Sequence, residues 1–184
     1  MIEIRIHGRG GQGVVIASKI LAVAAAKEGK RVQSFPTFGP ERRGAPLAAF
    51  ARIDEKAIRI KCQIYHPNHV IVLDPVLHLM VDVTDGLKNG GWILINSEAK
   101  PESFNFPKKW NISTVDGSGI SLRHKLGTKT EPIANMAMLG AFSRVVEVIK
   151  IDSLIEAIRE SFPNNFKANE LAAIEAYEKV KFET

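Results

Sequence analysis

Cysteine is almost missing from this sequence: Cys62 stands alone among 184 residues. A single thiol forms no intrachain disulfide and cannot supply the cysteine set of an iron–sulfur cluster or a structural zinc. With no identifiable base nearby, Cys62 reads as a small buried hydrophobe rather than a nucleophile. Long apolar runs are also missing. None approaches the roughly 18 residues that cross a bilayer, so no membrane segment is expected. The opening Met1-Ile-Glu-Ile-Arg-Ile is too charged for the apolar stretch of a signal peptide, and a reducing cytoplasm is the expected compartment. Among His7, His66, His69, His78 and His124 there is no zinc-protease spacing. His66 and His69, with Pro67 between them, read as loop residues. Asp74 follows an apolar run, where it either orients a ligand or makes an Asp-Pro turn. The chain reads as a binder without bond-making residues.

What is present fits a folded domain. Hydrophobic residues make up 45% and charged residues 24%, which excludes disorder. The length favours a single domain over 1–184 that needs no metal or disulfide to hold it together. Charge is uneven. Residues 1–60 carry 11 lysines and arginines against 5 acids, a net of +6, and the remainder nets −1. Such a concentration attracts phosphate-bearing ligands, acidic partners or nucleic acid, or simply aids solubility.

Alternation of Ile2, Ile4 and Ile6 with Glu3 and Arg5 predicts a first strand, and a helix is expected from about Gln12 to Glu28. Further strands are expected at 31–35, 70–73, 92–95 and 112–115. Leu47–Ile53 and Ala57–Lys61 read as a hairpin turning at Asp54-Glu55-Lys56. Helices are expected over 76–88 (with Asp82 and Asp85 on one face), 118–126, from Pro132 through Ile149, from a cap at Asp152 to Ser161, and 166–180 with Leu171, Ile174 and Val180 inward. The alternation predicts an α/β fold: an open, mostly parallel sheet with helices on both faces, plus an antiparallel hairpin.

The strongest local signal is strand, glycine-rich turn, helix. Gly8, Gly10, Gly11 and Gly13 allow tight turns and let main-chain N–H groups face a ligand, with Arg9 and Gln12 as added donors. The dinucleotide spacing is met at positions 8, 10 and 13, but the acid expected about 20 residues on is missing, and no Gly-Lys-Ser/Thr follows. A second segment, Phe35-Pro-Thr-Phe-Gly-Pro-Glu-Arg-Arg-Gly-Ala-Pro46, sets Arg42 and Arg43 where guanidinium groups clamp phosphate or carboxylate. In a sheet of this kind that loop lies beside the first one.

His7-Gly-Arg-Gly-Gly-Gln-Gly13, the 35–46 segment and Asn135-Met-Ala-Met-Leu-Gly-Ala141 together resemble the gamma subunit of 2-oxoacid:ferredoxin oxidoreductases over nearly the whole chain. The resemblance implies a non-catalytic subunit of a multisubunit enzyme that decarboxylates a 2-oxoacid with coenzyme A and passes electrons to ferredoxin. It implies alpha, beta and delta-type partners carrying thiamine diphosphate, magnesium and iron–sulfur clusters, and makes pyruvate the default oxoacid. Gly8 to Gly13 with Arg42 and Arg43 become candidates for coenzyme A phosphate contacts or for the subunit seam. A basic nucleic-acid-binding module is the alternative; aromatic platforms among the basic residues are lacking, so no nucleic acid is expected.

Overall fold

Ile4 and Ile6 are fully buried on one side of the first strand while Arg5 projects from the other, so both faces of the sheet are covered. The computed structural model describes residues 1–37 and 43–183. The strands are β1 (Ile2–Arg9), β2 (Arg31–Pro36), β3 (Pro46–Asp54), β4 (His69–Val72), β5 (Trp92–Asn96), β6 (Asn111–Val115) and β7 (Lys181–Phe182). They form one mixed sheet in the order β2-β3-β1-β4-β5-β6-β7. β1, β4, β5 and β6 run parallel; β3 is antiparallel to both β1 and β2, and β7 to β6.

The α-helices are α1 (Val14–Lys27), α2 (Gly117–Arg123), α3 (Asn135–Val146), α4 (Ile151–Ser161) and α5 (Phe166–Lys179). Their buried side chains join Ile4, Ile6, Ile71 and Leu94 in one core. The opposite face, Val70, Val72, Ile93, Ile95 and Ile112, is covered by Leu77, Val83, Leu87 and Trp110 from irregular segments. Helices thus lie on both faces, but among the described residues those of the second face are only the 3-10 turns Leu77–Leu79 and Pro101–Ser103.

Several local expectations are corrected. Residues 76–88 do not form an α-helix, so Asp82 and Asp85 share no helix face. The side chain of Asp74 accepts from the Val76 amide (3.0 Å), Asp82 accepts from the Thr84 amide (2.9 Å), and Gly86 sits at φ 68°. These side-chain bonds offer the backbone a turn in place of a helix. The hairpin joins β2 to β3 rather than 47–53 to 57–61, because β1 and β2 already occupy both edges of β3. Cys62 is exposed. In α5 Ala172, Ala173 and Ala176 are fully buried, and Ile174, with Val180 just past the helix end, packs partly buried against the core as expected, whereas Leu171 is 39% exposed. α4 begins at Ile151 after Lys150, and Asp152 lies in its first turn instead of capping it. α2 takes its cap from Asp116, whose Oδ1 accepts from the Gly119 amide at 2.7 Å.

α2 and α5 are joined by charge. Glu175 accepts from Arg123 (2.8 Å), His124 (2.7 Å) and Lys179 (2.7 Å). Burial works against its charge, yet these three partners outweigh it and hold its pKa down to about 2, from an ordinary 4.5. On β1 and β4, burial first, with Arg5 next for His7 and Lys88 for His69, lowers His7 to about 3 and His69 to about 4, from 6.5. All three groups bind protons more tightly when unfolded, so their contributions are full at neutral pH and are lost as pH falls. Stability should be level above pH 7, decline from about 6.5 as the unfolded histidines charge, and decline again from about 4.5 to about 2. Urea midpoints measured from pH 7.5 downward check this; a midpoint level down to pH 4 contradicts it.

Candidate functional site

β1 ends in the glycine-rich turn, and the turn delivers the chain into α1. Gly8 is still within the sheet, paired with Leu47 of β3. The Arg9 amide donates to Gln12 Oε1 (2.8 Å) and the Gln12 amide to the Arg9 carbonyl (3.1 Å), which closes the turn on itself. Gly10 pairs with the second loop: its amide donates to Ala45 O and the Gly44 amide donates back to Gly10 O, both at 3.0 Å. The expected meeting of the two loops is therefore made by main-chain bonds, at the carboxyl ends of β1 and β4. Arg42 lies outside the described residues.

Not every donor of the turn is satisfied internally. Gly11 and Gly13 have amides without a hydrogen bond among the described residues, and no side chain caps the first turn of α1, which has no acid. Gly13, at the cap position, has φ 75° and faces Asn135 at the start of α3. A Cβ there would lie 2.3 Å from Asn135 Nδ2, which donates to Gly13 O at 3.3 Å. The third sequence motif thus supports the first directly. The positive end of a helix with free amides and no carboxylate of its own is suited to an anion.

A cleft of about 480 Å³ opens over this turn, lined by Arg9, Gly10, Gly11, Gln12, Arg43 and Gly44 of the two loops and by Asp74, Thr130, Glu131 and Pro132 of later segments. Arg9 is held firmly. It donates through Nε to Asp74 Oδ2 (2.7 Å), through Nη1 to Gly44 O (3.1 Å) and through Nη2 toward Met80 Sδ (3.0 Å). Three of its five N–H groups are used among the described residues, which leaves two for another acceptor. Asp74 also accepts from Gln12 Nε2 at 3.3 Å, so it both makes its turn and orients the arginine. Arg43 is held by one partner among the described residues, Glu131 Oε2 at 2.5 Å, and both side chains are largely exposed. A smaller chamber of about 210 Å³ shares Gln12, Asp74, Thr130 and Pro132 with this cleft and is also lined by Ser118 on α2.

Sequence reasoning missed Glu131 and Thr130 as parts of this cleft, and Met80 as a partner of Arg9. Nothing local marks them, since each reaches the site only through chain folding. Among the described residues, no group of three histidine, cysteine or acidic side chains could hold a metal ion, and no helix is long and apolar enough to cross a membrane. Much of the basic charge of residues 1–60 is neutralised within the molecule. Arg9 pairs with Asp74, Arg43 with Glu131, Arg52 with Glu3 and Lys27 with Glu160, while Arg5 donates to the Val83 and Asp85 carbonyls.

Residues 3–179 match the family described as Pyruvate ferredoxin/flavodoxin oxidoreductase. The chain is 53% identical over 183 residues to the Pyruvate/ketoisovalerate oxidoreductases common subunit gamma of Thermococcus kodakarensis, covering 97% of each chain. It is 50% identical over 182 residues to Pyruvate synthase subunit PorC of Methanothermobacter marburgensis, covering 98% of each. The crystal structure of the pyruvate oxidoreductase subunit PORC of Thermotoga maritima superposes with a TM-score of 0.84 at 35% identity, covering 100% of this chain and 98% of that one.

Proposed function

The chain belongs to the pyruvate ferredoxin/flavodoxin oxidoreductase family as a gamma subunit, and from that premise we propose that its cleft receives phosphate groups of coenzyme A within a multisubunit complex. The complex decarboxylates a 2-oxoacid, by default pyruvate, attaches the acyl group to coenzyme A and passes two electrons to ferredoxin. Thiamine diphosphate, magnesium and iron–sulfur clusters sit on the alpha, beta and delta-type partners and supply that chemistry. This chain contributes binding and no reacting group; one cysteine is too few for a cluster. The relative in Thermococcus kodakarensis is named as common to pyruvate and ketoisovalerate oxidoreductases, which favours choice of oxoacid by the partner subunits.

The observation that carries the reading is the turn from β1 to α1, where Gly11, with an open amide, lines the cleft together with Arg9 and Arg43, and a second open amide, that of Gly13, stands at the start of α1. A phosphate placed there accepts main-chain bonds at the positive end of α1 and charge-assisted bonds from guanidinium groups.

Replacing Arg42 and Arg43 together with alanine should raise the KM for coenzyme A of the assembled complex by about tenfold or more, with a smaller change in kcat. An unchanged KM in an intact complex rejects the phosphate role. Loss of assembly instead assigns the pair to the subunit seam, where desolvated arginines act as anchors.

A further inference from the structure

The cleft proposed for coenzyme A phosphate carries no surplus of formal charge on its named groups: Arg9 faces Asp74 and Arg43 faces Glu131. An incoming phosphate therefore meets two carboxylates as well as two guanidinium groups. The two pairs differ in how they are held. The Arg9 and Asp74 side chains are 22% and 10% exposed, and each has further partners: Gly44 O and Met80 for the arginine, Gln12 and the Val76 amide for the acid. Arg43 and Glu131 are 78% and 64% exposed, and the Arg43 guanidinium has this one partner among the described residues. The two line the same cleft from segments 88 positions apart and meet at its exposed rim.

An exposed pair of long side chains is worth roughly 0 to 1 kcal/mol, whereas the hydrogen-bonded Arg9 pair is pinned from both ends. Only the outer pair can open without leaving a partly buried charge alone.

Resting on the reading of the cleft as a phosphate site, we infer that Glu131 is a built-in competitor for Arg43, so that phosphate enters by exchanging places with a carboxylate. The Glu131 side chain holds the guanidinium at the mouth while the cleft is empty and swings to solvent when phosphate takes its place. The exchange favours a ligand with at least one dianionic phosphate over a carboxylate or a singly charged group, because the newcomer must better the bond it breaks. Glu131 is thus a residue that sets selectivity without touching the bound ligand.

The test uses the assembled complex and its KM for coenzyme A in four forms: unaltered, Glu131→Gln, Arg43→Ala and the double variant. Removing the competitor should lower KM about two- to fivefold, the factor matching an exposed ion pair. Arg43→Ala should raise it, and in that background Glu131→Gln should lower it distinctly less. An equal drop in both backgrounds overturns the exchange in favour of plain repulsion. A raised KM for Arg43→Ala with no effect of Glu131→Gln overturns the exchange and leaves the phosphate site standing. No effect of either variant overturns both. If the Arg43→Ala complex fails to assemble, Arg43→Lys takes its place in the cycle, since it keeps the charge but loses the planar fork.

Discussion

Replacing Gly140 with alanine should lower the stability of the folded chain by about 3 kcal/mol or more, although alanine is the better helix former. Gly140 lies where α3 crosses α5. A Cβ at this position would stand 2.0 Å from the Ala173 carbonyl oxygen, 2.6 Å from its carbon and 2.7 Å from its Cα. All three atoms belong to the backbone of α5, so no side-chain rotation relieves the clash and the two helices must part. Parting them loosens Ala172, Ala173 and Ala176, all fully buried, and disturbs Phe142, also fully buried on α3. The gain in helix propensity, about 1 kcal/mol, falls well short of that loss. Thermal or urea unfolding of the variant reads the difference, and a melting temperature equal to or above the parent's would show that the crossing has slack.

Arg52→Ala should have an effect of similar size through a different cause. Arg52 is 1% exposed, two residues from the end of β3. It stands opposite Glu3 on β1 and Gln33 on β2, with which it bonds at 3.0 and 3.3 Å. It also donates to Gln63 O at 3.4 Å, and its guanidinium lies 5.3 Å from the centre of the Phe35 ring. Truncation removes packing and leaves the Glu3 carboxylate, 14% exposed, without its closest cation; breaking such a pair from one side costs about 3–5 kcal/mol. Lysine should not restore the loss, because one ammonium cannot reach the three directions that the planar fork serves. Glu3→Gln should be milder, since the arginine keeps Gln33 and Gln63. Urea unfolding of the three variants gives the order, and a Lys variant as stable as the parent would refute the geometric argument.

The parts of the fold readable in the sequence are those whose signal is local. Alternating isoleucines mark β1, alanines and a terminal glycine bound α1, and short apolar bursts give β4 and β5. The errors arise where a distant partner decides. Residues 57–61 alternate like a strand, but no edge of β3 remains for them. Leu171 fits a helical stripe, yet the approach of α5 to Gly140 admits only small side chains at the contact, so the alanines turn inward. At 76–88, aspartate bonds to nearby amides redirect a segment whose apolar spacing suits a helix. The same division holds at the cleft. Its glycines and arginines announce themselves by type and spacing, whereas Glu131 reaches Arg43 across 88 positions of chain.

The unequal covering of the sheet bears on the life of the chain before its partners arrive. The α-helical side is a set of elements that satisfy their own backbones and interlock as one layer. The other side is an overlay tied on at scattered points, among them Arg5 to the Val83 and Asp85 carbonyls and Trp110 to that of Leu87. Local opening should follow the weaker tie, with the overlay lifting before the helical layer does. Lifting it bares Val70, Val72, Ile93 and Ile95, four side chains fully hidden in the native state, as a water-averse strip on an otherwise intact subunit. That strip is the adhesive side of a newly made chain, the one on which premature self-association would begin.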